Sequence, residues 1–430
     1  MPTPVIIDGL RTPFIKAATD FNTLPAQELG RIVVSELLAK TELDPSLIDE
    51  TIFGNIGQPA EAANIARVVS LNAGIGRFVP AYTVQRNCAS GMESIAQAFD
   101  KISLGFAKVI MAGGTESMSN IPLMFPKAYA DFLNKLMRSK TPLQKLLTLT
   151  KFKLSYLKPR IALMEGLTDP FCGLNMGQTA EVLAREWGIS REEQDQFSLQ
   201  SHQKVLKAQD EGKFLEEITS VYIPPKYSKA ITEDNGPRRN QTMGQLMKLK
   251  PFFDRRYGTV TAGNSSQITD GAVAVLVMDK EKAYALGYTP LATIRSYGFF
   301  GIEPKRMGIG PVAAAKVALE RAHLTLKDIG LIEINEAFAA QTLAVLKASA
   351  SKKFSQDYLG QSEPLGEMNP EILNVNGGAI ALGHPVGASG ARIVVTLAKE
   401  MKRRSVRYGL ALICIGGGQG GAMVIEREMS

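Results

Sequence analysis

Three reactive side chains of this sequence sit in glycine-rich settings. Cys88 lies in Asn87-Cys88-Ala89-Ser90-Gly91, and Cys414 opens Cys414-Ile415-Gly416-Gly417-Gly418-Gln419-Gly420. His384 lies in Gly383-His384-Pro385-Val386-Gly387-Ala388-Ser389-Gly390. The chain has only 3 Cys and 3 His, so these positions hold half of its thiols and imidazoles. Glycine beside a reactive group permits tight turns and close approach of a ligand. Two thiols and an imidazole point to acyl transfer through a covalent intermediate.

Each residue has a chemical reading and a plainer one. Cys88 follows an expected strand, Ala81 to Gln85, and opens a helix reaching about Leu104. Unpaired N–H groups and the helix dipole at such a place stabilise a thiolate. A small buried core thiol is the plainer reading, and polar Asn87 and Ser90 weigh against it. His384 stands among glycines, where it could deprotonate Cys88 and later stabilise a thioester oxygen. Cys414 ends an apolar strand, Leu410 to Ile413, and is equally readable as a structural thiol. Asn335, in Asn335-Glu336-Ala337-Phe338, is an uncharged donor able to fix a water in an oxyanion site. His202 lies in a polar helical run and reads as solvated. His323 ends a helix, where a cation is favourable. Cys172 receives no chemistry, and Trp187 and most Met residues read as packing. No cluster has zinc-ligand spacing, and no P-loop or dinucleotide fingerprint occurs, so no metal or cofactor is expected.

The elements that position these residues repeat. Val5-Ile6-Ile7 reads as a strand, Gln27 to Lys40 as an amphipathic helix, Thr51 to Gly54 as a strand, and Val109 to Gly114 as a buried strand ending in glycines. The C-terminal part repeats this order. Leu43 to Asp49 matches Leu324 to Ile329, and the strands that follow end near Asn55 and Asn335. Ala89-Ser90-Gly91 matches Ala388-Ser389-Gly390, and Met111-Ala112-Gly113-Gly114 is paired here with Ile415-Gly416-Gly417-Gly418. Several landmarks in one order imply two copies of an α/β unit, with ligands at the seam of their switch regions. Between the copies, residues 119 to 266 read as helices and loops punctuated by Pro224-Pro225 and Asn235-Gly236-Pro237.

At 430 residues the chain exceeds one ordinary core. Its few cysteines suit a reducing, cytoplasmic compartment. Neither a secretory signal, a spanning apolar run nor a C-terminal peroxisomal tripeptide is expected. The net charge of +7 is local. Residues 127–160 hold nine Lys or Arg against Asp131 alone, and the rest of the chain is nearly balanced, so nucleic-acid binding is not expected. After Pro142, the positions Leu143, Leu146, Leu147, Thr150, Leu154 and Leu157 follow one helical stripe flanked by lysines. Such a stripe can lie at an anionic membrane surface, pack on its own protein, or dock a partner.

The motifs in this order resemble the thiolase family. The matching signatures are Asn87 to Gly91, Ala112 to Ser119, Thr261 to Ser266, Asn335 to Phe338, Gly383-His384-Pro385 and Cys414 to Gly418. The resemblance implies an α/β fold with a five-layer αβαβα core built from two similar halves, plus an inserted helical loop domain. The expected boundaries are 1–118 with 267–289, a loop domain 119–266 with its basic insertion at 122–172, and 290–430. It implies cleavage of 3-ketoacyl-CoA by CoA through a Cys88 acyl-enzyme, as in fatty-acid β-oxidation, with CoA as substrate and no cofactor. By the same resemblance, His384 is the activating base and Cys414 the acid/base that protonates the departing acetyl-CoA carbanion. Asn335, through a water, and His384 would form one oxyanion site. The N–H groups of Cys88 and Gly416 would form the other. Ser266, Met176 and Phe338 would lie on the CoA side.

Two positions depart from familiar patterns. Asn175-Met176-Gly177 stands where many short-chain members have His-Met-Gly. Asn335 stands where trifunctional-complex β subunits, which the basic stretch Pro122 to Cys172 resembles, often have His. A homodimer or dimer of dimers, and a hydratase/dehydrogenase α subunit, are the implied protein partners. The rivals are a biosynthetic acetoacetyl-CoA thiolase, a ketoacyl-synthase-type condensing enzyme, and a non-catalytic lipid or partner scaffold.

Overall fold

In the computed structural model, which describes residues 2–428, two compact units are distinct: Met1–Asn120 with Asp169–Ser430, and Ile121–Thr168. Met1, Met429 and Ser430, which belong to the terminal segments read for signals, lie outside the described residues. No helix among those residues is long and apolar enough to cross a membrane.

The larger unit is organised by nine strands. They are β1 (Pro4–Arg11), β2 (Glu50–Gly54), β3 (Ala81–Val84), β4 (Val109–Ser117), β5 (Thr269–Asp279), β6 (Ala292–Gly301), β7 (Leu331–Ile334), β8 (Tyr408–Ile415) and β9 (Gln419–Glu426). Their order is β7-β8-β9-β6-β1-β5-β4-β2-β3, with Ile15–Lys16 paired onto β5. The halves join where Val5 and Ile6 of β1 pair with Thr293 and Ala292 of β6. Within each half the spatial order is third, second, fourth, fifth, first. In the C-terminal half the third place is taken by a single parallel bridge from Leu373 to Ile332. Second and fourth strands are parallel in both halves, and the remaining neighbours toward the join are antiparallel.

Side-chain alternation shows why the chain stacks into layers. On β4, Ile110 and Ala112 point into one core, and Val109 and Met111 into another. On β8, Ala411, Ile413 and Ile415 share the first core, while Leu410 and Leu412 enter a third. Strands buried on both faces need helices on both sides. Helix α1 (Ala26–Thr41) covers the outer face of the N-terminal half. Helix α5 (Gly310–Ala322) and helix α6 (Ala339–Ser349) cover the outer face of the C-terminal half. The shared core holds α2 (Ser90–Ser103) and α7 (Val386–Arg404). This is the αβαβα arrangement. Helices α2 and α7 cross at reciprocal glycines. A Cβ on Gly91 would lie 2.7 Å from Ala391 N, and one on Gly390 would lie 2.6 Å from Met92 N. Both helices therefore start near one point.

Two further helices of this unit are α3 (Met176–Glu186) and α4 (Arg191–Asp210). His202 on α4 is buried at 4% exposure, contrary to the solvated reading, and accepts a hydrogen bond from Arg238 N–H. Burial, with the Arg238 charge second, pulls its imidazole down to about 4. Strand register also corrects the pairing of the repeats. Gly54 lies opposite Gly114, and Ile334 lies opposite Leu412. The residue equivalent to Cys414 is therefore Glu116, and the run from Met111 to Gly114 does not match Ile415 to Gly418.

The smaller unit contains helices at Lys127–Arg138 and Pro142–Leu149 and a 3-10 turn at Leu154–Leu157. The single helical stripe expected after Pro142 is thus broken. Lys153 is extended between the two pieces. The break lets Phe152 and Tyr156 join Tyr129 and Phe132 in an aromatic cluster around the buried Phe132, with ring centroids 5.6 to 6.4 Å apart. Leu143, Leu146, Leu147 and Leu154 stay exposed.

Candidate active site

Cys88 sits immediately before α2, in a turn where Asn87 takes a positive φ of 43°. Asn87 Nδ2 donates to Gly416 O at 2.7 Å, tying this turn to the one that follows β8. The N–H groups of Gly416 and of Cys88 itself both act on the Cys88 sulfur. Cys88 is half-buried. Burial outweighs those N–H groups and raises the thiol above its ordinary value, so the resting thiolate expected from the helix terminus is not favoured.

His384 precedes α7 as Cys88 precedes α2. Its Nδ1 lies 2.6 Å from Ser389 Oγ, and Ser389 Oγ donates to Pro385 O at 3.0 Å. A hydroxyl has one proton, so toward His384 the serine must accept. Nδ1 therefore carries the imidazole proton, and Nε2 presents a lone pair. Burial, reinforced by the Arg392 charge, pulls the imidazole down to about 3 and keeps it neutral. A neutral imidazole with a free Nε2 is a base.

Asn335 follows β7 and faces that lone pair, its Nδ2 3.4 Å from His384 Nε2. Its buried Oδ1 has no hydrogen-bond partner among the described residues, so it is open to a water or a substrate group. Cys414 on β8 is buried, and both burial and the nearby Cys88 charge raise its thiol well above the ordinary value. It packs in an apolar cluster with Phe338 and Met176. A Cβ on Gly416 would touch Met176 Sδ at 3.2 Å. Ser266 N–H donates to Ala337 O at 2.9 Å, which lays the Thr261 to Ser266 segment beside Asn335 to Phe338. Asn175 is occupied elsewhere. It forms a reciprocal capping box with Gln178 at the start of α3, at 2.9 and 3.0 Å.

Two side chains within quoted motifs were given no role by sequence reasoning. Ser389 lies in the glycine-rich setting of His384 and marks the repeat, and Glu116 lies within the signature Ala112 to Ser119. Both act here through hydrogen bonds to the turns that carry the reactive groups.

The thiolase N-terminal domain family matches residues 4–281, and the thiolase C-terminal domain family matches residues 288–427. The chain belongs to the thiolase family. It is 44% identical over 424 residues to the 3-ketoacyl-CoA thiolase of Yersinia enterocolitica, covering 98% of this chain and 96% of that one. The human mitochondrial 3-ketoacyl-CoA thiolase in complex with CoA superposes with a TM-score of 0.85 at 36% identity, covering 100% of this chain and 98% of that one. The acetyl-CoA acetyltransferase of Bacillus anthracis superposes with a TM-score of 0.87, also at 36% identity, covering 100% and 99%. The two halves of the thiolase fold put Cys88 and His384 just before the two crossing helices, and Cys414 near the end of β8.

Proposed function

We propose that the chain is a 3-ketoacyl-CoA thiolase, an acyltransferase that uses CoA to cleave 3-ketoacyl-CoA into acetyl-CoA and a shortened acyl-CoA. The observation that carries this reading is His384, its Nε2 lone pair freed by Ser389 and faced by Asn335, alongside two thiols near enough for the Cys88 charge to act on Cys414. His384 takes the Cys88 proton as the sulfur attacks the 3-keto carbon. The oxygens that become negative are met by two sites, one formed by the N–H groups of Cys88 and Gly416 and the other by His384 and Asn335 through a water. The bond between C2 and C3 breaks, the acyl group stays on Cys88, and Cys414 gives its proton to the departing acetyl-CoA carbanion. CoA then loses its thiol proton to the Cys414 thiolate and attacks the acyl-enzyme. Cys88 leaves and recovers its proton from His384. The raised Cys414 thiol suits this step, because a thiol that holds its proton at rest gives it up only to a strong base such as a carbanion. Ser266, Met176 and Phe338 are assigned to the pantetheine side.

The substrate range is placed at medium or long chains. The test is thiolysis kinetics across acyl lengths on wild type, Cys88→Ala and Cys414→Ala. A strict preference for the four-carbon substrate favours the acetoacetyl-CoA enzyme instead, and unimpaired turnover by Cys88→Ala defeats the mechanism.

A second reading concerns the smaller unit, where lysines flank exposed leucines. It places Ile121–Thr168 on an anionic membrane surface, with each lysine near the surface adding about 1 kcal/mol. Co-sedimentation with anionic vesicles should be lost when the lysines of 127–160 are neutralised. Undiminished binding defeats this reading, and binding only to a hydratase/dehydrogenase subunit transfers the surface to that partner. The half-exposed outer strand β3, free along one edge, fits a homodimer, which light scattering in solution tests.

A further inference from the structure

The duplicated architecture gives the reaction centre a counterpart. Strand register equates Asn335 with Asn55 and Cys414 with Glu116. The reciprocal glycines of α2 and α7 equate Cys88 with Gly387 and Ser90 with Ser389. The counterpart of the meeting of Cys88 and Cys414 is therefore the meeting of Gly387 and Glu116. That meeting is a hydrogen bond, Gly387 N–H donating to Glu116 Oε2 at 3.1 Å.

Glu116 is 1% exposed and sits in a cradle of donors. Ile56 N–H reaches Oε2 at 3.0 Å, and Gly57 N–H reaches Oε1 at 2.9 Å. Asn55 Nδ2 reaches Oε1 at 3.1 Å. Burial pushes this carboxyl up to about 7. Its four contacts are nevertheless all N–H donors, and a proton on either oxygen would point at one of them, so the geometry is built for a carboxylate. The turn carrying His384 rests directly on the strand end below. A Cβ on Gly387 would come within 2.8 Å of Glu116 Oε2 and of Thr115 O, and one on Gly114 within 2.1 Å of Gly387 O. His384 stands three residues before Gly387, at the free end of this contact. The mechanism above gives none of these groups a role, although the Glu116 charge reaches Cys88 and adds to the upward shift of its thiol.

We propose that Glu116 is a positioning residue: its carboxylate clamps the first turn of α7 to the Asn55–Gly57 loop and so fixes the turn that carries His384. The counterpart of the reaction centre thus serves as its support. This rests on the thiolase reading of the site.

The test uses the full-length enzyme and the variant Glu116→Gln, which keeps the volume but turns an NH2 group toward two of the four donors. Because misplacing a catalytic group by about 1 Å can cost about 100-fold, kcat should fall about 10- to 100-fold with KM for both substrates within about twofold. Glu217→Gln is the control. Glu217 is as buried, accepting from Arg11 Nε at 2.7 Å and Thr396 Oγ1 at 3.1 Å, but it does not touch the His384 turn. It should lower the melting temperature and leave kcat unchanged. If Glu116→Gln does not fold, Gly387→Ala provides the second variant, since it moves the N–H and leaves the carboxylate; the same selective loss of kcat is expected. Unchanged kcat in Glu116→Gln, or a loss of kcat matched by Glu217→Gln, overturns the clamp. An inactive wild type would count against the thiolase reading and is distinguishable from either result.

Discussion

The two halves of the molecule share a strand order but spend the same positions differently. Ser90 and Ser389 occupy equivalent places at the start of the crossing helices. Ser90 Oγ donates to Asn87 O at 2.6 Å and accepts from Arg86 N–H at 2.9 Å, so it closes its own backbone turn. Ser389 also donates to the preceding turn, at Pro385 O, but its lone pair is turned to an imidazole. Asn55 gives its amide to Glu116 and to Thr115 O, whereas Asn335 keeps an unpartnered oxygen. The connection between fourth and fifth strands is Gly416 to Gly418 in the C-terminal half and residues 118–268 in the other. In the N-terminal half the serine and asparagine just compared are spent on internal hydrogen bonds beside Cys88, the proposed nucleophile. In the C-terminal half Asn335 leaves hydrogen-bonding capacity open beside His384, the proposed base. The difference teaches that a fold can be repeated while equivalent polar groups are spent on structure in one copy and turned toward a reactive side chain in the other.

The widest separation of the halves is expected from the pair Cys414→Ala and Glu116→Ala. Loss of a positioned proton donor costs about 10²- to 10⁴-fold, so Cys414→Ala should reach that loss in kcat with the fold intact, as read by circular dichroism. Glu116→Ala leaves four donors facing a hole. It should lower the melting temperature clearly, because each unsatisfied buried group costs about 1–3 kcal/mol. Equal thermal losses in the two variants would erase the contrast.

The serine pair sharpens the comparison at a smaller scale. Ser389→Ala removes the acceptor that fixes the His384 tautomer. By analogy with supporting groups around metal-bound histidines, the loss should be about 10- to 100-fold in kcat, with little change in KM. Ser389→Thr, which keeps the hydroxyl, should restore part of it. Ser90→Ala should act mainly on stability, about 1 kcal/mol for a lost hydrogen bond. A kcat loss in Ser90→Ala as large as in Ser389→Ala would mean that both serines serve the reaction.

Much of this was legible in the sequence because glycine motifs mark the turns. Cys88, His384, Asn335 and Cys414 each stand next to a strand or helix end that apolar periodicity locates. What was not legible depends on distant partners. Glu116 has a role only through donors 59 to 61 and 271 positions away. Helix α4 reads as polar because its inward face is itself polar. Gln194, Ser198, Ser201 and His202 are buried there, and Ser201 Oγ donates to Glu336 at 2.6 Å. Hydropathy cannot tell a satisfied polar face from a solvated one, so His202 was misplaced. The repeat was visible in composition, but its alignment needed the strand register that equates Glu116 with Cys414.

The smallest effect requires no substitution and tests the sulfurs of the two halves against each other. Iodoacetamide attacks a thiolate, so its rate on a thiol follows the ionised fraction. Burial raises both thiols, but Cys88 is half-buried and Cys414 fully so. Cys88 should therefore be alkylated before Cys414, which stays protected until Cys88 is blocked or the chain unfolds. Below the raised value of Cys88, each unit of pH multiplies the thiolate by about ten, so the rate should climb steadily between about pH 6 and pH 8.5. His384, held near 3 by burial, stays neutral throughout that interval and adds no step near the ordinary imidazole value. Mass spectrometry of the labelled peptides at each pH reads both predictions. A rate that is already flat at pH 6 would reveal a resting thiolate paired with a protonated His384, and the two halves would then share their charge before substrate arrives.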